Sequence, residues 1–152
     1  MPNWATNELI IKGDLEERKD FADKMEENGF MAIVPLEEET ISEAIFYWGT
    51  KWNLDGLSTD FYEEETVMMF MTAWSPPKQF ILSASKKYPK LVFTLKTEEM
   101  GCFYMSQYKV AEGEVLEQKQ ANNLEDMKDK FGEDDFFATE IARAENDQCL
   151  FR

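Results

Sequence analysis

Three of the four tryptophans fall on two short stretches, Tyr47-Trp48-Gly49-Thr50-Lys51-Trp52 and Phe70-Met71-Thr72-Ala73-Trp74-Ser75-Pro76-Pro77. Flat indole faces beside a lysine can stack a base or another flat ligand. Trp4, Trp48, Lys51, Trp52 and Trp74 are the residues such a pocket would use. The same rings can simply close one end of a core, with their N–H groups meeting strand carbonyls. That plainer role leads, and the many nearby carboxylates would repel a phosphate.

Other chemistry is narrowed by what the chain lacks. It contains no histidine. Ser-His and Cys-His nucleophile systems, a histidine general base and the common zinc sites are therefore excluded together. Carboxylates remain, in four runs: Glu37 to Glu39, Glu63 to Glu65, Glu98-Glu99 and Glu133-Asp134-Asp135. None has the spacing of a calcium loop. All four runs are expected in turns, solvated, with no metal and no cofactor. As an array they can also imitate the phosphates of DNA and occupy a basic groove. Cys102 and Cys149 form no CxxC and have acidic neighbours, which do not activate a thiol; reduced, structural thiols are the leading expectation and a single disulfide the alternative. No enzymatic activity is expected.

The strand Val67-Met68-Met69-Phe70-Met71 is apolar on both faces, Met68 and Phe70 pointing one way and Val67, Met69 and Met71 the other. A sheet with one wet face alternates apolar and polar residues. The second face must therefore be covered. The leading expectation is cover by Phe136, Phe137 and Ile141; the alternative is a partner or a second copy, methionine being an adaptable contact residue. Val67, Met69 and Met71, with Glu63, Glu64 and Glu65 at the adjoining turn, form the candidate partner-binding set.

These groups sit in a chain of 152 residues, long enough for one domain with a real core. It is 14% aromatic and 31% charged, with a formal net charge of -15. The aromatic content excludes a disordered chain. The charge opposes binding to nucleic acid and to anionic membrane, and attracts a basic partner. The start of the chain has no basic or apolar leader pattern. No apolar run is long enough to span a bilayer. A soluble protein of the cytoplasm, monomer or homodimer, is expected.

The positioning elements follow from caps and periodicity. Asn7 to Lys12 reads as a strand ended by Gly13. Asp14 and Glu17 have capping-box spacing and open a helix to Asn28, with Leu15, Ala22 and Met25 inward, Phe21 at the edge and Gly29 as the stop. Phe30 to Leu36 is expected as an extended connector. Thr40 caps a short helix, Ile41 to Trp48, ended by Gly49. A strand is expected from Thr50, with a bulge or turn at Asp55-Gly56. Glu63 to Glu65 makes a hairpin tip before a strand from Thr66 to Thr72. Ser75 is expected to cap a helix from Pro76 to Tyr88, with Ile81, Ala84 and Tyr88 inward. Leu91 to Lys96 is a strand, Glu98 to Gly101 a turn, and Cys102 to Val110 with Glu114 to Lys119 a hairpin. Asn122 or Asn123 caps one amphipathic segment ending at Phe131-Gly132. Asp134 or Asp135 caps a last helix to about Ala144.

The order up to Thr97 is the split β-α-β repeat, which makes the expected class α+β: a ferredoxin-like sandwich with a mainly antiparallel sheet, extended by an extra hairpin and followed by C-terminal helices. Residues 1–119 form the domain with its hairpin, and residues 120–152 a helical extension packed on it. Met1-Pro2-Asn3-Trp4, Asn7 before an alternating strand ending in Gly13, Trp48-Gly49-Thr50-Lys51-Trp52 and Thr72-Ala73-Trp74-Ser75-Pro76-Pro77, in that order, resemble the ferredoxin-like domain family that includes the plasmid protein YubB. The resemblance covers roughly residues 1–115 and implies a phage or plasmid origin. It implies no catalytic residue. The family has cysteine after the N-terminal tryptophan where this chain has Ala5, so a thiol role there is absent. The segment after Lys119 lies outside its pattern. Together these features lead to a small acidic binding protein that engages a host protein in the cytoplasm. The partner would be a basic nucleic-acid-binding one, met for counter-defence or host modulation. The alternative is a protein that sequesters a nucleotide-like signal in the tryptophan cluster.

Overall fold

A computed structural model describes residues 3–150, with side chains up to residue 146. Six strands form one antiparallel sheet: β1 (Trp4–Gly13), β2 (Asp55–Phe61), β3 (Glu65–Ala73), β4 (Leu91–Glu99), β5 (Tyr104–Ala111) and β6 (Glu114–Ala121). Their spatial order is β2-β3-β1-β4-β5-β6. The first four are ordered as in the split β-α-β repeat, and the β5–β6 hairpin adds two strands at the β4 edge. The α+β ferredoxin-like architecture is thus the observed one. No helix among the described residues is long and apolar enough to cross a membrane.

One face of the sheet carries α1 (Leu15–Asn28), α2 (Ile41–Trp48) and α3 (Lys78–Lys87). Alternation along the strands sends Leu9, Ile11, Met68, Phe70, Phe93 and Leu95 to this side, where they are fully buried with Phe21, Phe30 and Phe80. Phe30 is the hub, packing edge-on to Trp48 at 5.5 Å and against Phe80 at 4.3 Å. A polar seam pins the sheet centre. The Asn7 amide donates to Thr72 Oγ1 at 2.9 Å and accepts from Thr97 Oγ1 at 2.7 Å, so β1, β3 and β4 are held in register.

The other face is half covered. The helices α4 (Leu124–Phe131) and α5 (Asp135–Leu150) pack Met127, Phe131, Phe137 and Ile141 onto Met105 of β5 and Ala121 of β6. Lys96 ties the start of α5 down, 2.8 Å from Asp134 and 3.7 Å from Glu8. The cover of β3 expected from Phe136, Phe137 and Ile141 is not found: these side chains pack over β5 and β6 instead. On β3, Val67, Met69 and Met71 remain partly exposed.

Several local expectations are corrected. The inward stripe of α1 is Arg18, Phe21, Ala22 and Met25, and Leu15 is exposed. Arg18 buries its guanidinium by donating to the carbonyls of Gly13, Tyr62 and Glu63 and to Thr66 Oγ1. Phe30 starts no extended connector: Gly29–Ala32 is a 3-10 turn that brings its ring into the core. The strand expected from Thr50 begins at Asp55, and the bulge expected at Asp55-Gly56 is present as a register shift between Asp55 and Ser58. Ser75 does not cap α3. Its hydroxyl donates to Gly49 O at 2.7 Å, and the helix starts at Lys78 without a side-chain cap. Glu98 and Glu99 are on β4, not in a solvated turn. Glu99 is buried and accepts from the Gly101 and Cys102 amides at 3.0 and 2.9 Å.

Candidate functional site: an aromatic surface around α2

The sequence Thr-Ile-Ser-Glu-Ala-Ile-Phe-Tyr-Trp-Gly makes a two-turn helix with both ends satisfied. Thr40 accepts from the Glu43 amide at 3.2 Å, and the Glu43 carboxylate accepts from the Glu38 amide at 2.9 Å. Gly49 closes the helix with φ +84, a left-handed conformation that favours glycine. Only Ala44 and Trp48, four residues apart, face the core. Ile41, Ile45, Phe46 and Tyr47 face outward, Phe46 being 73% exposed. A surface helix ordinarily shows charge on that side. Exposed large apolar side chains gathered on one helix face are a mark of a contact surface.

The end of α2 is laced to the end of β3. Thr50 Oγ1 donates to Ala73 O at 2.9 Å, and Ser75 Oγ donates to Gly49 O. Between them Trp74 turns the chain with φ +72, the Ser75 amide reaching back to Ala73 O at 2.9 Å. A left-handed tryptophan is strained, and such strain gathers at functional places. Its indole is exposed, as are those of Trp4 and Trp52. Trp4 and Trp52 meet at 6.1 Å, and Lys51 Nζ sits 5.0 Å from the Trp52 ring centre.

Beside α2 lies a groove of about 380 Å³, which Trp48, Lys51 and Trp52 help to line. The structure thus brings three of the five sequence-predicted ligand residues to one groove. Trp4 touches it through Trp52, and Trp74 does not line it. Trp48 is only 3% exposed, and its N–H is spent on Val34 O at 2.8 Å. Its main role is the core one.

The remaining sequence-predicted partner residues are elsewhere. Val67, Met69 and Met71 stand on the open half of the second sheet face, with Glu63 to Glu65 at the β2–β3 turn. Glu63 and Glu64 are exposed; the Glu63 carbonyl is held by Arg18. Glu37, Glu38 and Glu39 are all exposed and lead directly into α2. No group of three or more acidic, cysteine or histidine side chains among the described residues could hold a metal. The Cys102 thiol is held up by the adjacent Glu99 carboxylate, which disfavours the thiolate. Cys149 lies outside the described side chains.

Sequence reasoning missed the outer face of α2. The signal was present: Ile41, Ile45, Phe46 and Tyr47 break the polar stripe that a surface helix of period 3.6 should carry.

A family model described as a ferredoxin-like domain in Api92-like proteins matches residues 37–139. Its span opens at the acidic run before α2 and ends within α5, so the segment after Lys119 lies largely inside the matched domain. Among solved structures, the crystal structure of the protein Api92 from Yersinia pseudotuberculosis aligns with a TM-score of 0.53 and 9% identity. The alignment covers 62% of this chain and 39% of that one, and at that identity it speaks for the fold alone. No curated protein matches the sequence.

Proposed function

The chain belongs to the family of ferredoxin-like domains in Api92-like proteins, and on that premise we propose that it is a non-catalytic module that docks a basic host protein against the aromatic surface of α2. The observation that carries this reading is the apolar outer face of a fully capped helix, Ile41, Ile45, Phe46 and Tyr47. Folding of the domain does not need those side chains exposed, and water disfavours them there. The formal net charge of -15 supplies the other half: it steers a basic partner and keeps copies of the chain, nucleic acid and anionic membranes apart. Aromatic anchors in a desolvated centre give such an interface its affinity.

A nucleic-acid-binding protein of the host cytoplasm fits this description, because its basic groove is complementary to arrayed carboxylates. The phage or plasmid origin implied by the sequence resemblance gives the contact a use in counter-defence, by occupying a nuclease or repressor. Val67, Met69 and Met71, with Glu63 to Glu65, would extend the contact around the β2 edge.

The test is capture from a bacterial lysate with the tagged wild-type chain and with Phe46→Ser, at low and high salt. A protein retained by the wild type, lost on Phe46→Ser and weakened by salt supports the reading. Retention that ignores both changes overturns it.

A further inference from the structure

The groove beside α2 separates two kinds of occupant by chemistry. Met31, Leu36, Ile41, Ala44, Trp48 and Trp52 give it an apolar wall, and Asn28, Glu39, Thr40, Lys51 and Asn53 complete the lining. Its neutral polar groups nearest the apolar wall are already used. Asn53 Oδ1 accepts from the Phe30 and Leu54 amides, both at 2.9 Å, and its Nδ2 donates to Asn28 O at 3.0 Å. The Trp48 N–H is bonded to Val34 O, and the Thr40 hydroxyl caps α2. None of the buried unpaired polar atoms among the described residues belongs to a groove residue. A base or sugar entering here would lose water and find few partners, which is costly for polar groups. Its phosphates would find one cation on the lining, Lys51, against Glu39 at the groove and Glu37 and Glu38 beside it, a net negative setting. An aliphatic or aromatic side chain loses nothing of this kind, and a volume of about 380 Å³ accommodates one or two of them.

We infer that the groove between α2 and the Gly29–Leu36 segment receives one or two large apolar side chains from a lysine- or arginine-bearing segment of the partner protein. The basic side chains meet Glu37, Glu38 and Glu39 while the anchor enters between Ile41 and Trp52. This rests on α2 being the docking surface, and adds which part of the partner it holds. Charge complementarity selects the occupant: a second copy of this chain brings another -15 to the same place. A basic amphipathic helix with apolar anchors at i and i+4 has the required pattern.

The test uses the full chain and a short synthetic amphipathic peptide with lysines on one face and two phenylalanines at i and i+4. Binding is read by tryptophan fluorescence and by the Ile41 methyl resonance. Replacing both peptide phenylalanines by alanine should weaken binding by about tenfold to a hundredfold. Glutamates in place of its lysines should abolish it. Ile41→Ser with Trp52→Ser, two exposed positions, should reproduce the loss while the thermal midpoint stays near wild type. The peptide comparison needs no altered protein, so it stands if that variant misfolds. Peptide binding indifferent to its phenylalanines, or a chain that dimerises through the groove in sedimentation, overturns the inference. If Phe46→Ser abolishes capture of the host protein while groove variants and peptide anchors are silent, α2 docking survives and the groove assignment fails. If both sets are silent, both fail.

Discussion

Glu98 offers the sharpest test of how the C-terminal helices are held. It lies on β4 beneath α5, with a carboxyl oxygen that is buried and has no hydrogen-bond partner. Glu140 and Arg143 of α5 act on it, while Lys96, two residues before it on β4, is taken up by Asp134 and Glu8. Burial, reinforced by Glu140 and opposed by Arg143, pushes its pKa from an ordinary 4.5 up to about 7. At 1.36 kcal/mol per pH unit the ceiling is about 3 kcal/mol. The site is only partly dry, so solvent screening brings the expected effect to roughly 1–2 kcal/mol. The folded state holds this proton more tightly than the unfolded chain. Stability must therefore fall as pH rises from about 4.5 to about 7, and stay at the lower level above that. Glu98→Gln keeps the shape and removes the charge. Urea unfolding from about pH 5 to about pH 8 should show the two proteins close together at the acid end. At the alkaline end Glu98→Gln should be more stable by roughly 1–2 kcal/mol, or a few degrees in thermal midpoint. Parallel curves for the two proteins, or a variant less stable at the alkaline end, would refute the buried-carboxylate argument.

Three further outcomes follow from single contacts. Arg18→Met removes the donor from three part-buried contacts to carbonyls and from the buried Thr66 hydroxyl, and should cost about 1–3 kcal/mol in urea unfolding. Asn123 accepts from the Asp126 amide at 2.9 Å as the N-cap of α4; Asn123→Ala should cost about 1 kcal/mol, with amide exchange quickened first in α4. Phe46→Ser should change stability by no more than about 0.5 kcal/mol, as expected of a side chain with little to lose on the surface; a large fall in thermal midpoint would mean Phe46 supports the fold rather than a partner.

The parts of the fold that sequence made legible are those where one residue type has one physical use. Thr40, Gly49, Asn123 and the Gly13 and Gly29 stops behave as their caps and turns require. The alternation in β3 correctly sent Met68 and Phe70 to one face. The failures share a cause: a side chain whose surroundings are set by elements distant in sequence. Ser75 looks like a helix cap until Gly49 O is brought within reach from another element. Arg18 draws no reading from sequence, because the Tyr62 and Glu63 carbonyls that hold it come from the β2–β3 turn. Glu98 and Glu99 look like a wet turn until β5 pairs with them and α5 packs over the sheet. The site was half legible. Trp48, Lys51 and Trp52 do converge, but Trp48 serves the core, and the exposed side of α2 could be read as buried as long as its neighbours were unknown.

The central claim is that α2 carries the contact and the acidic surface brings the partner to it. Its most direct measurement is the dissociation constant of the captured partner for the wild type and for Phe46→Ser across a salt series. The account predicts a loss of about tenfold to a hundredfold at every salt concentration, with the salt slope unchanged, because burial and steering are separate contributions. Equal affinity for the two proteins, or a wild-type affinity that does not fall with salt, would contradict it.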